Sequence, residues 1–397
     1  MNDINTKSKR NADLRGTALL FLLFLWTVWF VSFTARMIFS PILPLMEDEF
    51  HISHTGAGAI FLFISGGYGL SVFSTGIYGG RFGYKRSIVF SLVLCALVFL
   101  LIPFTGSIIV LYAFSLIFGI ATGIYLPCVI PLITDYFSEN HWGKSIAIHD
   151  SAAPIGIFCA PFLALVLLGF LDWRHIFTVF GIIFLVLAFL FHFISGELKI
   201  AEKSRQSFKN VFKRRSLWIV GILWIFAAGS NIGIYFIAPL YLTKELHLGI
   251  GHADAALGIS RLGGVAVAIA CGYLADRFDL KKIMFANLLL TGAFTVALSL
   301  ASPEFVAVVL FFQATFVTGF FPLSLVMTAR LFSEEERSMA TGFGLMMGVL
   351  VGGGLVPFLL GIAGDLIGFR AGILVIGILV TLSSVLVFKL DGTKENG

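Results

Sequence analysis

Two arginines lie inside long apolar runs of the sequence, where a charged side chain is costly unless it has a partner or a function. Arg36 occurs in the segment SFTARMIFSPILP and Arg261 occurs in GISRLGG. A planar guanidinium presents several N–H donors in a fixed fork, which suits the binding of carboxylate and phosphate groups. Both residues are therefore candidate anion-binding groups. The alternatives are a side chain that reaches the outer interface for Arg36 and an ion pair with Asp254 for Arg261.

Further polar side chains in apolar runs could complete such a site. Asn231 and Tyr235 are four residues apart, so they share one face of a helix. The carboxylate of Asp150 could bind a coupling proton, although a solvated position at the mouth of a helix is the alternative. His149 adjoins it, but neighbouring residues of a helix point in different directions and need not cooperate. The remaining candidates for the substrate site, which could instead be packing residues, are Tyr125, Gln313 and Trp29.

Spacing excludes several kinds of catalytic and metal-binding site. A phosphate-binding loop needs Gly-x4-Gly-Lys-Ser/Thr, and the fragment Trp-Gly-Lys-Ser at 142–145 has Ser138 where the first Gly should be. The four cysteines all fall in apolar runs and favour neither disulfides nor metal binding. No His, Cys and carboxylate cluster has metal-ligand spacing. We therefore expect no metal, no cofactor and no enzymatic activity.

Composition places these residues in a membrane protein. Hydrophobic residues make up 58% of the 397 residues and charged residues only 12%, about half the charged fraction of an ordinary globular domain. Apolar runs of about 20 residues, the length that crosses a bilayer, recur along the whole chain. We predict twelve spans, near residues 17–40, 55–78, 86–104, 107–131, 145–169, 175–195, 218–241, 254–275, 283–301, 304–328, 338–363 and 371–389.

Basic residues divide unevenly between alternate loops. The loops on the side of the N-terminus hold nearly all of the Lys and Arg residues outside the spans, whereas the opposite loops hold only Arg174, Lys244 and Arg370. The positive-inside rule therefore predicts a multi-pass protein of the plasma (inner) membrane with both termini in the cytoplasm. The net charge of +5 reflects this orientation and does not indicate a nucleic-acid partner.

The chain repeats itself at an offset of 196 residues. Matching pairs include Gly76/Gly272, Arg81/Arg277, Phe82/Phe278, Lys85/Lys281, Gly123/Gly319 and Arg174/Arg370. The repeat predicts an all-α membrane fold of two pseudo-symmetric six-helix bundles, residues 1–195 and 218–397, joined by a basic cytoplasmic linker, 196–217. Parallel repeats of this kind are typical of alternating-access transporters.

The repeated basic stretches, GIYGGRFGYKR at 76–86 and GYLADRFDLKK at 272–282, are similar to the major facilitator superfamily signature Gly-x-x-x-Asp-Arg-x-Gly-Arg/Lys-Arg/Lys. The chain resembles that superfamily along essentially its whole length. The matching positions include Gly76, Arg81, Gly83, Gly272, Asp276 and Arg277, while Gly80 replaces the first carboxylate. In the family this carboxylate latches the outward-open state, so the resemblance implies an asymmetric latch that rests on Asp276 and Arg277. The alternative is a pair of ordinary positive-inside loops.

The resemblance extends to the first span. The spacing from Arg36 to Pro44 is similar to that in organic-anion and sugar-phosphate members, where the arginine binds the anionic group of the substrate. An offset of 195 places Asn231 opposite Arg36, whereas phosphate-type members often have arginine at both positions. The fourth-helix arginine of the drug/proton exchangers would fall at Ser115 and is absent. A cation opposite a neutral amide suits a carboxylate better than a phosphate dianion.

These observations predict a monomeric, proton-coupled secondary transporter of a small organic anion, which works in the lipid bilayer. The expected substrate site lies between the two bundles and contains Arg36, helped by Arg261, Asn231 and Tyr235. The alternative is an efflux carrier for amphipathic compounds, which the 43 phenylalanines would suit. A membrane receptor or scaffold without transport is a third hypothesis.

Overall fold

A computed structural model describes residues 12–74, 82–195 and 208–390, and twelve long apolar helices cover most of these residues. The helices are Gly16–Phe50 (α1), His54–Phe73 (α2), Tyr84–Phe104 (α3), Ile108–Tyr136 (α4), Glu139–Leu168 (α5), Trp173–Ile194 (α6), Arg215–Glu245 (α7), Ile250–Arg277 (α8), Leu280–Leu300 (α9), Val306–Leu331 (α10), Glu336–Leu366 (α11) and Phe369–Lys389 (α12). Each is long and apolar enough to cross a membrane, which confirms the predicted number of spans. Phe104 and Phe170 are each 85% exposed, as side chains that face lipid would be.

Contacts between residues divide the described chain into two compact units. The first unit contains the chain up to Phe39 and the stretch from Phe63 through α6. The second unit contains Ser40–Leu62 and everything from α7 onwards. Part of α1 and the start of α2 therefore pack with helices of the second repeat. The boundaries 1–195 and 218–397 remain a prediction about the repeats themselves.

Helix α1 is interrupted where the chain passes from the first unit to the second. Its two helical segments, Gly16–Met37 and Phe39–Phe50, meet at Ile38. Pro41 has no N–H to donate to the carbonyl of Met37, and its ring crowds that turn, so the interruption follows from the sequence. Arg36 thereby lies in the last turn before the break.

Close packing of α2 against α4 in the first unit depends on two glycines. A Cβ on Gly67 would collide with the carbonyl oxygen of Leu116, and a Cβ on Gly119 would collide with that of Ile64. Small residues at helix contacts let the two backbones approach each other closely. The glycines therefore fix the position of α2 relative to α4.

The part of α1 and α2 that belongs to the second unit is fixed to α7 and α11. Phe61 stacks on Phe236 of α7 with 4.0 Å between the ring centroids. Asp365 of α11 accepts hydrogen bonds from the backbone N–H groups of His54 and Thr55, each at 2.9 Å. These donors lie at the start of α2, where N–H groups lack partners within the helix. A carboxylate of the second repeat thus caps a helix of the first.

The first copy of the repeated basic stretch is described only in part. Gly76 and Arg81 lie outside the described residues. Gly83 has a φ of +80° immediately before the helical segment that starts α3, a backbone conformation that glycine adopts without strain. Gly272, the counterpart of Gly76 in the second copy, lies within α8.

The second copy forms the end of α8. The guanidinium carbon of Arg277 lies 4.2 Å from the ring centroid of Tyr273, and Asp276 is exposed. Arg330 of α10 donates a hydrogen bond to the carbonyl of Ala275 at 3.1 Å. The latch at Asp276 stays a prediction.

Replacing Gly67 by Ala should lower the melting temperature of the purified protein in detergent, because overpacking costs about 1–3 kcal/mol. The adjacent Gly66 on the same helix has no atom within 4 Å of a Cβ built on it. Gly66→Ala is therefore the matched control and should leave the melting temperature unchanged or raise it slightly, since Ala is the better helix former. Equal melting temperatures for the two variants would contradict the close contact of α2 with α4.

Replacing Asp276 by Asn should shift the populations of the conformational states, because it removes the carboxylate of the proposed latch. Distances between spin labels attached to the two repeats would measure those populations. Asp279→Asn is the control, since Asp279 caps α9 by accepting from the N–H groups of Lys281 and Lys282 and Asn caps a helix equally well. Unchanged populations in Asp276→Asn would remove the latch hypothesis.

Candidate functional site

Arg36 in the first unit is held against α2. The residue is only 8% exposed, and its Nη2 donates to Oγ of Ser65 at 3.3 Å. The guanidinium carbon lies 5.1 Å from the ring centroid of Tyr68, an arrangement in which the aromatic face attracts the cation. Ser65 and Tyr68 are three residues apart and share one face of α2. Together these three residues form what we call the first arginine clamp.

Arg261 in the second unit is held in a similar way against α7. Its Nη1 donates to Oδ1 of Asn231 at 2.5 Å, and its guanidinium carbon lies 4.8 Å from the ring centroid of Tyr235. Asn231 is 7% exposed and Tyr235 is fully buried. Arg261, Asn231 and Tyr235 form the second arginine clamp. Three of the residues predicted for the substrate site are therefore in contact.

Both helices that carry the second clamp depart from regular α-helix where the clamp lies. Asn231 lies in a π-helical turn, Gly229–Gly233, within α7. Arg261 lies in a turn of α8 between a segment that ends at Ile259 and one that begins at Gly263. Turns of this kind redirect side chains and are frequent at functional sites. The position of the clamp thus depends on local structure that hydrophobic periodicity does not predict.

The two clamps are related by the sequence repeat, with their parts exchanged. Asn231 is the counterpart of Arg36 at an offset of 195, and Arg261 is the counterpart of Ser65 at an offset of 196. The first repeat therefore carries its arginine on α1 and the polar partner on α2, and the second repeat has the reverse. Sequence reasoning did not name Ser65 or Tyr68. Applying the offset to Arg261 is the signal that would have found Ser65.

Both guanidiniums keep buried donors that have no hydrogen-bond partner among the described residues. These donors are Nε of Arg36 and both Nε and Nη2 of Arg261. Nε and Nη2 form one edge of the guanidinium, where two parallel N–H bonds match the two oxygens of a carboxylate. Within the described part of the chain, neither arginine forms an ion pair. The second clamp therefore has the donors for bidentate binding of an oxyanion, and because both donors are buried, an oxyanion reaches them only when the helices around the clamp move apart.

A second polar group in the first unit joins Trp29, Tyr125, His149 and Asp150. The hydroxyl of Tyr125 donates to the carbonyl of Leu25 at 2.9 Å and lies 3.2 Å from Nε2 of His149. Nδ1 of His149 lies 2.9 Å from Oδ1 of Asp150. The ring of Trp29 stacks on that of Tyr125 with 5.5 Å between centroids. Trp29, Tyr125 and Asp150 are thus linked through His149, which is fully buried.

His149 and Asp150 contact each other, although neighbouring residues of a helix point in different directions. A helical segment ends at Asp150 and the next begins at Ala152, so the pair lies at a break within α5. Because Tyr125 donates its own proton to Leu25, Nε2 of His149 can donate to the Tyr125 oxygen. Nδ1 then faces the Asp150 carboxylate, which places the predicted proton-coupling residue against a histidine.

Gln313 of α10 stabilises the helical turn that carries Asn231 of the second clamp. Its side chain is fully buried, and its Nε2 donates to the carbonyl and to Oγ of Ser230 at 2.8 and 2.9 Å. Ser230 precedes Asn231 in the π-helical turn. Gln313 therefore fixes the turn that presents Asn231 to Arg261, and it does not contact the arginine through any of these bonds.

Asp254, the possible ion-pair partner of Arg261, is a buried acid. The residue is 0% exposed, and neither carboxylate oxygen has a hydrogen-bond partner among the described residues. It precedes Arg261 by seven residues on α8, a separation of about 10 Å along the helix. The two residues do not pair in the structure, because Arg261 instead bonds Asn231.

Known proteins resemble this chain in both sequence and structure. Residues 25–303 and 262–396 match the Major Facilitator Superfamily. The glycerol-3-phosphate transporter of Bacillus subtilis is 23% identical over 294 residues, which cover 66% of each chain. The benzoate transport protein of Acinetobacter baylyi is 23% identical over 371 residues, which cover 82% of this chain and 79% of that one.

Among solved structures, the fold is similar to that of a bacterial homologue of the human lysosomal transporter Spinster in an inward-facing, unoccupied conformation. The TM-score is 0.81 at 13% identity, and the match covers 94% of this chain and 96% of that one. This likeness confirms the predicted fold of twelve helices in two six-helix bundles. With the family match along most of its length, the chain belongs to the Major Facilitator Superfamily and is a membrane transporter, not an enzyme.

Proposed function

We propose that this transporter carries a small organic anion of the carboxylate type, driven by protons, through alternating access. It acts as a monomer in the plasma (inner) membrane with both termini in the cytoplasm. The second arginine clamp binds the substrate carboxylate, and the first clamp supplies the corresponding cation of the other repeat.

The observation that carries this proposal is the edge of Arg261 whose two donors have no hydrogen-bond partner among the described residues. Its third nitrogen, Nη1, is already bonded to Asn231 at 2.5 Å, and Tyr235 covers one face of the guanidinium. These two contacts fix the orientation in which Nε and Nη2 are presented. A substrate carboxylate that reaches this edge when the helices move apart meets donors that are already aligned, so less conformational freedom is lost on binding. A bidentate, charge-assisted pair is among the strongest hydrogen-bonded contacts available to a protein.

The cost of two buried cations also supports an anionic substrate. An unpaired ion inside a protein is destabilising by several kcal/mol, even after the surroundings relax. The aromatic faces of Tyr68 and Tyr235 offset part of this cost, about 0.5–2 kcal/mol each. A bound anion would offset much of the rest, whereas a neutral substrate would leave the charges of Arg36 and Arg261 uncompensated.

The names of two relatives agree with an anionic substrate, since one is a benzoate transport protein and the other a glycerol-3-phosphate transporter. Benzoate is a carboxylate and glycerol 3-phosphate a phosphate ester. We favour the carboxylate because each clamp pairs its single arginine with a neutral oxygen, from Ser65 or from Asn231. A phosphate dianion would gain from two cations at one position.

The pair His149–Asp150 is the proposed route for the coupling proton. Nδ1 of His149 lies 2.9 Å from Oδ1 of Asp150, within hydrogen-bonding distance, and the Asp150 side chain is 53% exposed, so water can reach it. Tyr125 and Trp29 connect this pair to α4 and α1. A change in its protonation would therefore reach helices that must move in alternating access.

Replacing Arg261 by Lys should weaken carboxylate binding by at least tenfold, because it keeps the charge but removes the two-donor edge, a loss of about 1.5–3 kcal/mol. Replacing Arg36 by Ala should abolish uptake. Counterflow of radiolabelled benzoate and glucuronate in proteoliposomes would measure both effects, with glycerol 3-phosphate as a competitor. Arg174→Lys is the control, since Arg174 donates to the carbonyls of Pro103 and Thr105.

The same variants separate this proposal from the alternative of an efflux carrier for amphipathic compounds. Export of a neutral hydrophobic dye should barely change in Arg36→Ala if the protein is such a carrier. Unchanged carboxylate counterflow in both arginine variants would contradict the proposal, and strong competition by glycerol 3-phosphate alone would favour a phosphate substrate.

Replacing Asp150 by Asn should remove the acceleration of benzoate uptake by an acidic exterior, because the amide cannot share a proton with His149 as the acid does. Exchange of benzoate across the membrane in the absence of a proton gradient should persist. Uptake at several external pH values would measure the effect, and Asp172→Asn is the control because Asn preserves the helix cap that Asp172 provides. An unchanged response to the proton gradient would exclude Asp150 as the coupling residue.

A further inference from the structure

We infer that Asp254 is a proton-binding site that controls the anion affinity of Arg261, so that proton and substrate bind to the second unit together. The nature of the anion rests on the proposed function. The proton site rests on the surroundings of Asp254 alone.

Asp254 has none of the contacts that stabilise an ionised carboxylate. It is fully buried on the first segment of α8, and both of its oxygens lack hydrogen-bond donors among the described residues. Moving an ionised carboxylate out of water is far more costly than moving the neutral acid. In a transmembrane helix, a buried ionisable residue indicates a functional site. The neutral acid is the form that this site accommodates.

The groups that face Asp254 supply little positive charge. The first segment of α8 packs mainly against α7 and α10. From α7, Tyr235 is close enough to interact electrostatically with Asp254, while Lys244 is paired with Asp48 and Glu245 with the N–H of Phe369. The segment of α10 that packs there, Val306–Thr318, contains no ionisable side chain.

On α8 itself, the next charged side chain after Asp254 is Arg261. It follows seven residues later, a rise of about 10 Å along the helix. An ionised Asp254 would attract the guanidinium and repel a substrate anion at its free edge. A neutral Asp254 would do neither. Protonation of Asp254 therefore strengthens anion binding at the second clamp, and anion binding strengthens protonation to the same degree.

The first repeat has no equivalent of this acid. At an offset of 196, the position of Asp254 corresponds to Gly58, whose Cα lies so close to α11 that a Cβ would collide with the carbonyl of Pro357. No side chain fits there without a backbone shift. The proton site is thus a property of the second repeat, distinct from the pair His149–Asp150 of the first.

The first test is the affinity of the purified full-length protein for benzoate and for glucuronate as a function of pH. In the wild type, the dissociation constant should rise about tenfold between about pH 6 and about pH 9, the effect expected of a charge about 10 Å away in a partly polar interior. Asp254→Asn should keep the tight, low-pH value throughout, varying less than about twofold. Asp254→Glu retains an acid and should retain the pH dependence, and the exposed Glu304→Gln should behave as the wild type.

The second test needs no substrate. Infrared difference spectra between acidic and alkaline pH should show the carbonyl stretch of a buried carboxylic acid in the wild type, and Asp254→Asn should lack this band. A wild type that binds neither carboxylate would contradict the proposed function and leave this band as the test of the proton site. The inference is wrong if the infrared band of the buried acid persists in Asp254→Asn. It is also wrong if the dissociation constant of that variant for benzoate or glucuronate still depends on pH as in the wild type.

Discussion

Each repeat of this transporter buries a guanidinium on the face of a tyrosine, with one neutral oxygen as its hydrogen-bond partner and no carboxylate paired to it among the described residues. These contacts leave donors of both guanidiniums without a partner among the described residues. A buried cation with free donors is stable only if the fold or a ligand compensates its charge. The glycine-dependent packing of α2, the π-helical turn of α7 and the turn in α8 all position these two groups. In the proposed mechanism, the substrate anion supplies this compensating charge.

The repeat explains why there are two clamps, and its imperfections explain how they differ. The first repeat carries its arginine on its first helix, and the second repeat carries its arginine on its second helix. Each repeat therefore has one buried cation. Additional ionisable groups are then distributed unequally. The first unit has the pair His149–Asp150, and the second unit has the isolated acid Asp254. If these acids bind protons as proposed, their unequal distribution over the two repeats allows protonation to favour one conformation over another.

Hydropathy, basic loops and the internal repeat were sufficient to predict twelve helices and a transporter, because bilayer thickness leaves few alternatives. Arg36 and Arg261 stood out for the same reason. Ser65 did not stand out, since a single hydroxyl in an apolar run does not indicate a binding site until its contact with Arg36 is known. The burial of Asp254 was not predicted, because the predicted span began at residue 254, whereas α8 begins at Ile250 and carries the acid one turn into the helix. The breaks in α7 and α8 depend on tertiary packing that periodicity does not report.

The most direct test of the account is an experimental structure of the protein with benzoate bound. We predict that both carboxylate oxygens lie within hydrogen-bonding distance of Nε and Nη2 of Arg261, with Nη1 still bonded to Asn231 and the guanidinium still on the ring of Tyr235. A carboxylate found elsewhere, with that edge of Arg261 turned towards lipid or bonded to the protein, would contradict the central claim.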